Sequence, residues 1–127
     1  MAHLTQQNFV SLNIAVLTIS DTRTYDTDTS GDTLVDRLQT AGHMLIDRGI
    51  VMDDIYQIRA RVSQWIADPQ VQVVLMTGGT GFTARDNTPQ AVLPLLDKQV
   101  DGFGELFRHV SLAEIGMSTL QSRALAG

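Results

Sequence analysis

Val71-Gln-Val-Val-Leu-Met-Thr-Gly-Gly-Thr-Gly-Phe-Thr-Ala-Arg-Asp86 is the stretch on which the reading of the chain turns. Five of its first six residues are apolar and three of those are valines, the pattern of a strand buried on both faces. That strand runs straight into Thr77-Gly78-Gly79-Thr80-Gly81. Glycines there give backbone freedom without side-chain bulk, so the N–H groups of the turn can approach an anion closely. A carboxylate follows at Asp86, and Asn87-Thr88-Pro89 has the composition of a helix start. A strand, a glycine turn, an acid and a helix start together suggest a phosphate site.

Upstream, Leu12-Asn-Ile-Ala-Val-Leu-Thr-Ile-Ser20 is nearly continuously apolar and predicts a central parallel strand. A polar loop rich in Asp and Thr follows, from Asp21 to Asp32. A first helix is expected over about 32–41, with Leu34, Val35, Leu38 and Ala41 on one stripe, Ser30 or Asp32 as cap and Gly42 as stop. A second strand is expected over about 44–52, interrupted by Asp47-Arg48-Gly49. A second helix starts at Asp53 or Asp54, carries Ile55, Ile58, Val62, Trp65 and Ile66 inward, and stops at Asp68-Pro69. Downstream of the glycine turn the pattern predicts a helix over about 88–97, a helical stripe of Phe103, Leu106, Phe107 and Val110, and a last helix over about 115–125. Trp65, Phe103 and Phe107 read most simply as core. Three alternations of strand and helix argue for a mostly parallel sheet with helices on both faces.

The 127 residues suit one domain, and 43% hydrophobic content supports a packed core. Residues 10–127 are expected to form that domain, with 1–9 as a flexible polar arm. There are no cysteines, which removes thiolate metal sites and fits a reducing compartment. No apolar run is long enough for a membrane span, and no signal peptide is visible at the start. A cytoplasmic location is therefore expected. The net charge of −5 argues against general nucleic-acid binding.

The glycine turn admits several readings. It lacks the Gly-Lys-Ser/Thr end of a P-loop. Gly79-Thr-Gly81-Phe-Thr-Ala84 matches a dinucleotide fingerprint in letters, but it follows the third strand, and the acids about 20 residues on, Asp97 and Asp101, fall at a helix end. A turn that merely reverses the chain is the bland alternative. Asp26-x-Asp28-x-Ser30-Gly31 copies half of a calcium loop, but its twelfth position is Arg37, where a Glu is required. The five aspartates of residues 21–36 could help to hold Mg²⁺. His3, His43 and His109 are too scattered for zinc. What coheres is the set of strand ends: Ser20-Asp21, Asp53, and Thr77–Gly81 with Asp86 fall on the same edge of a parallel sheet. Donors for phosphate oxygens beside carboxylates for a metal are what phosphoryl or nucleotidyl transfer needs.

These residues resemble a known family. Leu75-Met-Thr-Gly-Gly-Thr-Gly81, Arg85-Asp86, Thr88-Pro89, Pro94, Gly102-Phe-Gly-Glu105 and Ser118-Thr-Leu-Gln-Ser-Arg-Ala124, with Ser20-Asp21 and Asp28-Thr-Ser-Gly31, are similar to the MoaB/MogA family of molybdenum cofactor biosynthesis proteins. The resemblance runs from about residue 12 to the end, and the segment from Glu114 to Gly127 is nearer to the protein B branch. It implies a three-layer α/β/α sandwich, a homotrimer or a hexamer, and contact with other proteins of the pathway. It implies that molybdopterin is bound and that its phosphate is adenylylated with ATP and Mg²⁺, or, in inactive relatives, that it is bound without catalysis. Carried over, Thr77, Gly78, Gly79, Thr80 and Gly81 would hold phosphates, and Ser20 and Asp21 would line the nucleotide pocket. Asp86 would be a catalytic acid and metal ligand, and Asp53 a second catalytic acid. The resemblance further implies a C-terminal part, with another strand, a Gly/Pro-rich loop and a closing helix, beyond the position of Gly127.

Overall fold

The computed structural model describes residues 8–127; the part of the expected arm that covers residues 1–7 lies outside them. Strand β1 (Asn13–Ile19) is apolar at almost every position because it is the middle of a three-stranded parallel sheet of order β2-β1-β3. Its neighbours are β2 (Met44–Val51) and β3 (Val73–Thr77). Side chains alternate across β1. Ala15, Leu17 and Ile19 point to one face, where Ile58, Val62 and Trp65 of helix α2 (Ile55–Ile66) and Ala91 and Val92 of helix α3 (Thr88–Val92) complete a core. Ile14 and Val16 point to the other, against Leu38 of helix α1 (Thr29–Thr40), with Leu34 and Val35 at its margin. Each fully buried aliphatic side chain contributes about 1.5–3 kcal/mol. The result is the expected three-layer α/β/α sandwich.

The order β2-β1-β3 has a consequence for function. The β1-α1-β2 crossover moves one way along the sheet and β2-α2-β3 moves back past β1. Both are subject to the same right-handed rule, so their helices lie on opposite faces. The connection directions diverge between β1 and β3, and a crevice opens at their carboxyl ends.

Several elements depart from the sequence reading. Helix α1 starts at Thr29, earlier than expected, because Asp28 caps it by accepting the Gly31 N–H at 2.9 Å. Strand β2 is not broken at Asp47-Arg48-Gly49. Ile14 faces Leu45 and Ala15 faces Asp47, so Ile46 is an extra residue in the ladder and the strand continues around it. The two charges are at home on this outer strand: Asp47 accepts the Trp65 indole N–H at 3.0 Å, which holds its carboxyl below the usual range. Helix α3 ends at Val92 and tightens into a 3₁₀ turn over Leu93–Leu95. Pro94 has no N–H for the carbonyl of Gln90. Arg59 supplies the missing donors instead, with Nη2 to Gln90 O and Nε to Ala91 O, each at 3.0 Å.

The C-terminal part differs most. Helix α4 (Asp101–Ile115) stops at Gly116, whose φ is 64°. A 3₁₀ segment, Gly116–Gln121, replaces the first half of the expected last helix, and residues 122–127 are not helical. Phe103 and Phe107 are not core: they stack at 6.2 Å and stay 39% and 43% exposed, and Leu106 and Val110 beside them are above 60%. Trp65 is core, 3% exposed. At the other end of the chain, Phe9 packs its ring against His43 at 5.1 Å.

Candidate functional site

The carboxyl ends of all three strands meet at one edge. Ser20 follows β1, and its Oγ accepts the N–H groups of Thr22 and Arg23 at 3.2 and 3.0 Å, which folds the next loop over the strand end. Thr77 ends β3, and Gly78 lies against the Ile19 carbonyl so closely that a Cβ would collide with it. Between the two strand ends is a cleft of about 160 Å³ lined by Thr18, Ser20, Arg23, Ser30, Thr77 and Gly78, among others. It sits at the crevice that the strand order predicts. Arg23 is a functional candidate that pattern reading passed over; a lone loop arginine carries no spacing signal.

The glycine turn has the shape its sequence requires. Gly78 and Gly79 have φ of 99° and 70°, a region that L side chains rarely adopt. A Cβ on Gly79 would also meet the Thr88 hydroxyl and Asp53 Oδ2. The start of α3 fastens the turn: Thr88 Oγ1 donates to Gly78 O at 2.7 Å and Thr88 N–H to Gly79 O at 3.0 Å. Among the described residues, the backbone N–H groups of Gly79, Thr80 and Phe82 meet no acceptor.

Asp21 and Asp53, far apart in sequence, are brought together. The Asp53 N–H donates to Asp21 Oδ1 at 3.0 Å. Arg85 grips the same carboxylate with Nε and Nη2 at 3.0 and 2.8 Å. That hydrogen-bonded guanidinium, then the Asp53 N–H, lowers Asp21 to about 2, and the carboxylate in turn raises Arg85. Asp53 itself is buried and accepts the Asn87 N–H at 2.8 Å, and Asn87 Nδ2 donates to the Asp53 carbonyl at 3.2 Å. Asp54, not Asp53, caps α2. Asp53 is thereby released to tie the end of β2 to the start of α3.

Asp86 stands half-buried beside the turn. Its Oδ2 accepts the Thr83 hydroxyl at 2.7 Å and the Thr83 N–H at 2.9 Å, and these bonds lower its pKa. Both Thr83 bonds go to Oδ2, and the Gly81 N–H also favours the ionised carboxylate. Arg123 reaches in from near the chain's end, with Nε to Gly81 O at 2.8 Å and Nη2 to Asp86 O at 2.8 Å.

The Asp-rich loop does not converge as a metal cage. Asp28 is 1% exposed, and burial alone pushes its carboxyl up. The Gly31 N–H, the Thr18 hydroxyl at 2.7 Å and Arg48 Nη2 at 3.0 Å outweigh that push, so its pKa is lowered. Asp32 joins the same Arg48 at 2.8 Å. Among the described residues no three acids or histidines group as a metal site. A Mg²⁺ ion still fits in one manner, held chiefly by phosphate oxygens of a ligand with one or two carboxylates. Asp86 Oδ1, which Thr83 does not use, suits that role.

The family model described as "Probable molybdopterin binding domain" matches residues 15–126. Molybdenum cofactor biosynthesis protein B of Escherichia coli (strain K12) is 56% identical over 119 residues, which are 94% of this chain and 70% of that protein. The crystal structure of a Molybdenum cofactor biosynthesis protein B superposes with a TM-score of 0.88 at 47% identity, covering 94% of this chain and 74% of the other. The tungsten cofactor synthesizing protein MoaB from Pyrococcus furiosus superposes with a TM-score of 0.80 at 34% identity, covering 92% and 72%.

Proposed function

The chain belongs to the family of the probable molybdopterin binding domain, with molybdenum cofactor biosynthesis proteins B among its relatives, and from that premise we propose that it adenylylates the phosphate of molybdopterin, using ATP and Mg²⁺. The observation that carries the reading is that the loop after β3 holds both the free amides of Gly79, Thr80 and Phe82 and the Asp86 carboxylate, whose bonds to Thr83 favour its ionised form. Such a turn offers donors to phosphate oxygens without a base or a nucleophilic side chain.

The reaction asks little covalent chemistry of the protein. A molybdopterin phosphate oxygen attacks the α-phosphorus of ATP, a P–O bond forms, and the bond to the departing pyrophosphate breaks. The nucleophile is already ionised near neutral pH, so no residue has to take a proton from it. The amides of Gly79, Thr80 and Phe82 would bind non-bridging oxygens as charge shifts between them. Arg23, at the cleft rim, would add a positive charge to an otherwise acidic chain. When bound, Mg²⁺ neutralises triphosphate charge; Asp86 would hold it. Asp53 would keep the β2 end and α3 start in register with the turn. Arg85 keeps Asp21 from repelling the incoming anion.

A second reading, a non-catalytic molybdopterin-binding protein of the same pathway, is favoured by one observation. Asp21 and Asp86 Oδ2 are committed to protein partners, which leaves few free carboxylate oxygens for a metal. Incubation with molybdopterin, ATP and Mg²⁺ separates the two: adenylylated molybdopterin and pyrophosphate are expected, and their absence with binding intact would establish the second. NADH affinity without ATP affinity would reject both. We place this activity in the cytoplasm and in a homotrimer or a hexamer. The exposed α4 stripe of Phe103, Leu106, Phe107 and Val110 gives subunits an apolar surface to bury. A monomer by sedimentation would reject the oligomer.

A further inference from the structure

Arg123 is more than another cation near the site. Its Nε donates to Gly81 O at 2.8 Å and to Thr80 O at 3.2 Å, its Nη2 to Asp86 O at 2.8 Å, and its own backbone N–H to Thr80 O at 3.0 Å. The guanidinium also lies 5.6 Å from the centre of the Phe82 ring. One side chain thus gathers three carbonyls of the loop between β3 and α3.

We propose that Arg123 is the positioning residue that gives the glycine turn its anion-receptive shape; the proposal rests on the phosphate role assigned to that turn above. In a trans peptide the C=O and the following N–H point in opposite directions. Drawing the Thr80 and Gly81 carbonyls toward Arg123 therefore turns the Gly81 and Phe82 N–H groups the other way. The Gly81 N–H then lies toward the Asp86 carboxylate, which it helps to keep ionised, and the Phe82 N–H is left without an acceptor among the described residues. Carbonyl lone pairs, which would repel a phosphate, are occupied by a cation. Glycines impose almost no conformational preference of their own, so the turn takes its shape from what holds it. Thr88 holds its first half, and Arg123 holds its second.

Arg123 is itself buttressed. Arg108 Nη1 on α4 donates to Ser122 O at 3.0 Å. Gly104 of α4 is buried against the Ala124 carbonyl, where a Cβ would stand only 2.7 Å from that oxygen. The non-helical course of residues 122–126 is what lets Arg123 turn inward. A lysine carries the charge but not the planar fork that serves several acceptors at once.

The test uses the 127-residue chain as wild type, Arg123→Ala and Arg123→Lys. Amide exchange is followed without ligand, and affinity is measured for Mg²⁺-ATP and for inorganic pyrophosphate. In Arg123→Ala we expect exchange across residues 79–86 to rise at least about tenfold while β1 and α2 are unchanged, as loss of several hydrogen bonds in one loop predicts. ATP affinity falls at least about tenfold. Arg123→Lys, the safer variant for folding, keeps most of both losses. Millimolar methylguanidinium restores both in Arg123→Ala, which a general loss of stability would not allow. Unchanged loop exchange, or wild-type affinity in both variants, overturns the role of Arg123. A wild type that binds neither ATP nor pyrophosphate overturns the phosphate reading itself, and the anion role with it.

Discussion

Asp21 and Arg85 stand 64 positions apart and meet through two parallel hydrogen bonds, Nε to Oδ2 at 3.0 Å and Nη2 to Oδ1 at 2.8 Å. The pair bridges the loop after β1 to the loop after β3, and the Asp53 N–H adds the loop after β2. Asp21 has a pKa of about 2 in the folded chain, against an ordinary value of 3.8. A depressed carboxylate stabilises the fold fully above its unfolded pKa and loses that contribution as pH falls through the folded one. The stability difference between wild type and Asp21→Asn is therefore expected to be level above pH about 5, to fall through the range between the two pKa values, and to lose its pH-dependent part by about pH 1. Urea unfolding across that range, at low and high salt, checks it; salt weakens the difference because the pair is exposed.

Asp28 caps α1 and binds Thr18 and Arg48 while almost fully buried. Asp28→Ala is expected to cost about 2–4 kcal/mol, by removing a cap and leaving buried partners unsatisfied. Asp28→Asn, which keeps an acceptor for the Gly31 N–H, is expected to cost less. Urea midpoints at constant slope measure both.

Gly79 and Gly102 make a contrasting pair. Gly79→Ala forces a side chain into positive φ and onto Thr88 and Asp53, whereas a Cβ on Gly102 meets nothing within 4 Å. Gly79→Ala is expected to lose at least about 1–3 kcal/mol. Gly102→Ala, in the first turn of α4, should be neutral or gain about 0.5–1 kcal/mol. Thermal melts of the two variants decide this; equal shifts would reject the geometry given for the turn.

Arg59 donates to two carbonyls in the stretch where Pro94 interrupts the helix. Arg59→Met is expected to cost about 1–2 kcal/mol in the wild-type chain. In a Pro94→Ala background, where the backbone regains an N–H for Gln90, the same change should cost less. A double-mutant cycle reads the coupling directly.

Asp86→Asn tests the proposed chemistry. Turnover should fall at least about tenfold while ATP binding survives, since an interaction made mainly in the transition state is removed. Equal turnover would take Asp86 out of the mechanism.

The parallel α/β fold was legible because its signals are local: the apolar runs at 13–19 and 73–77, and the α2 stripe ending in Trp65. The glycine turn was legible for the same reason, since positive φ is a property of the residue itself. The stripe of Phe103, Leu106, Phe107 and Val110 misled, because periodicity shows that a face is apolar and not what covers it. The end of α3 was misplaced because Pro94 lies inside an otherwise helical pattern, and its remedy, Arg59, comes from another helix. The roles of Arg23, Arg48 and Arg123 left no trace in spacing. A guanidinium at the end of a long side chain finds its acceptors only once strands and loops distant in sequence are folded side by side.

The chain's own sequence thus determined the elements, the parallel sheet and a turn open to anions, all set by backbone preference and hydrophobic period. Tertiary structure alone decided which charges meet. It set Asp21 on Arg85, buried Asp28 against Thr18 and Arg48, and brought Arg123 to the carbonyls of the glycine turn. Those pairings depend on distances of about 3 Å between groups separated by 10 to 64 positions along the chain, and no local pattern encodes such distances.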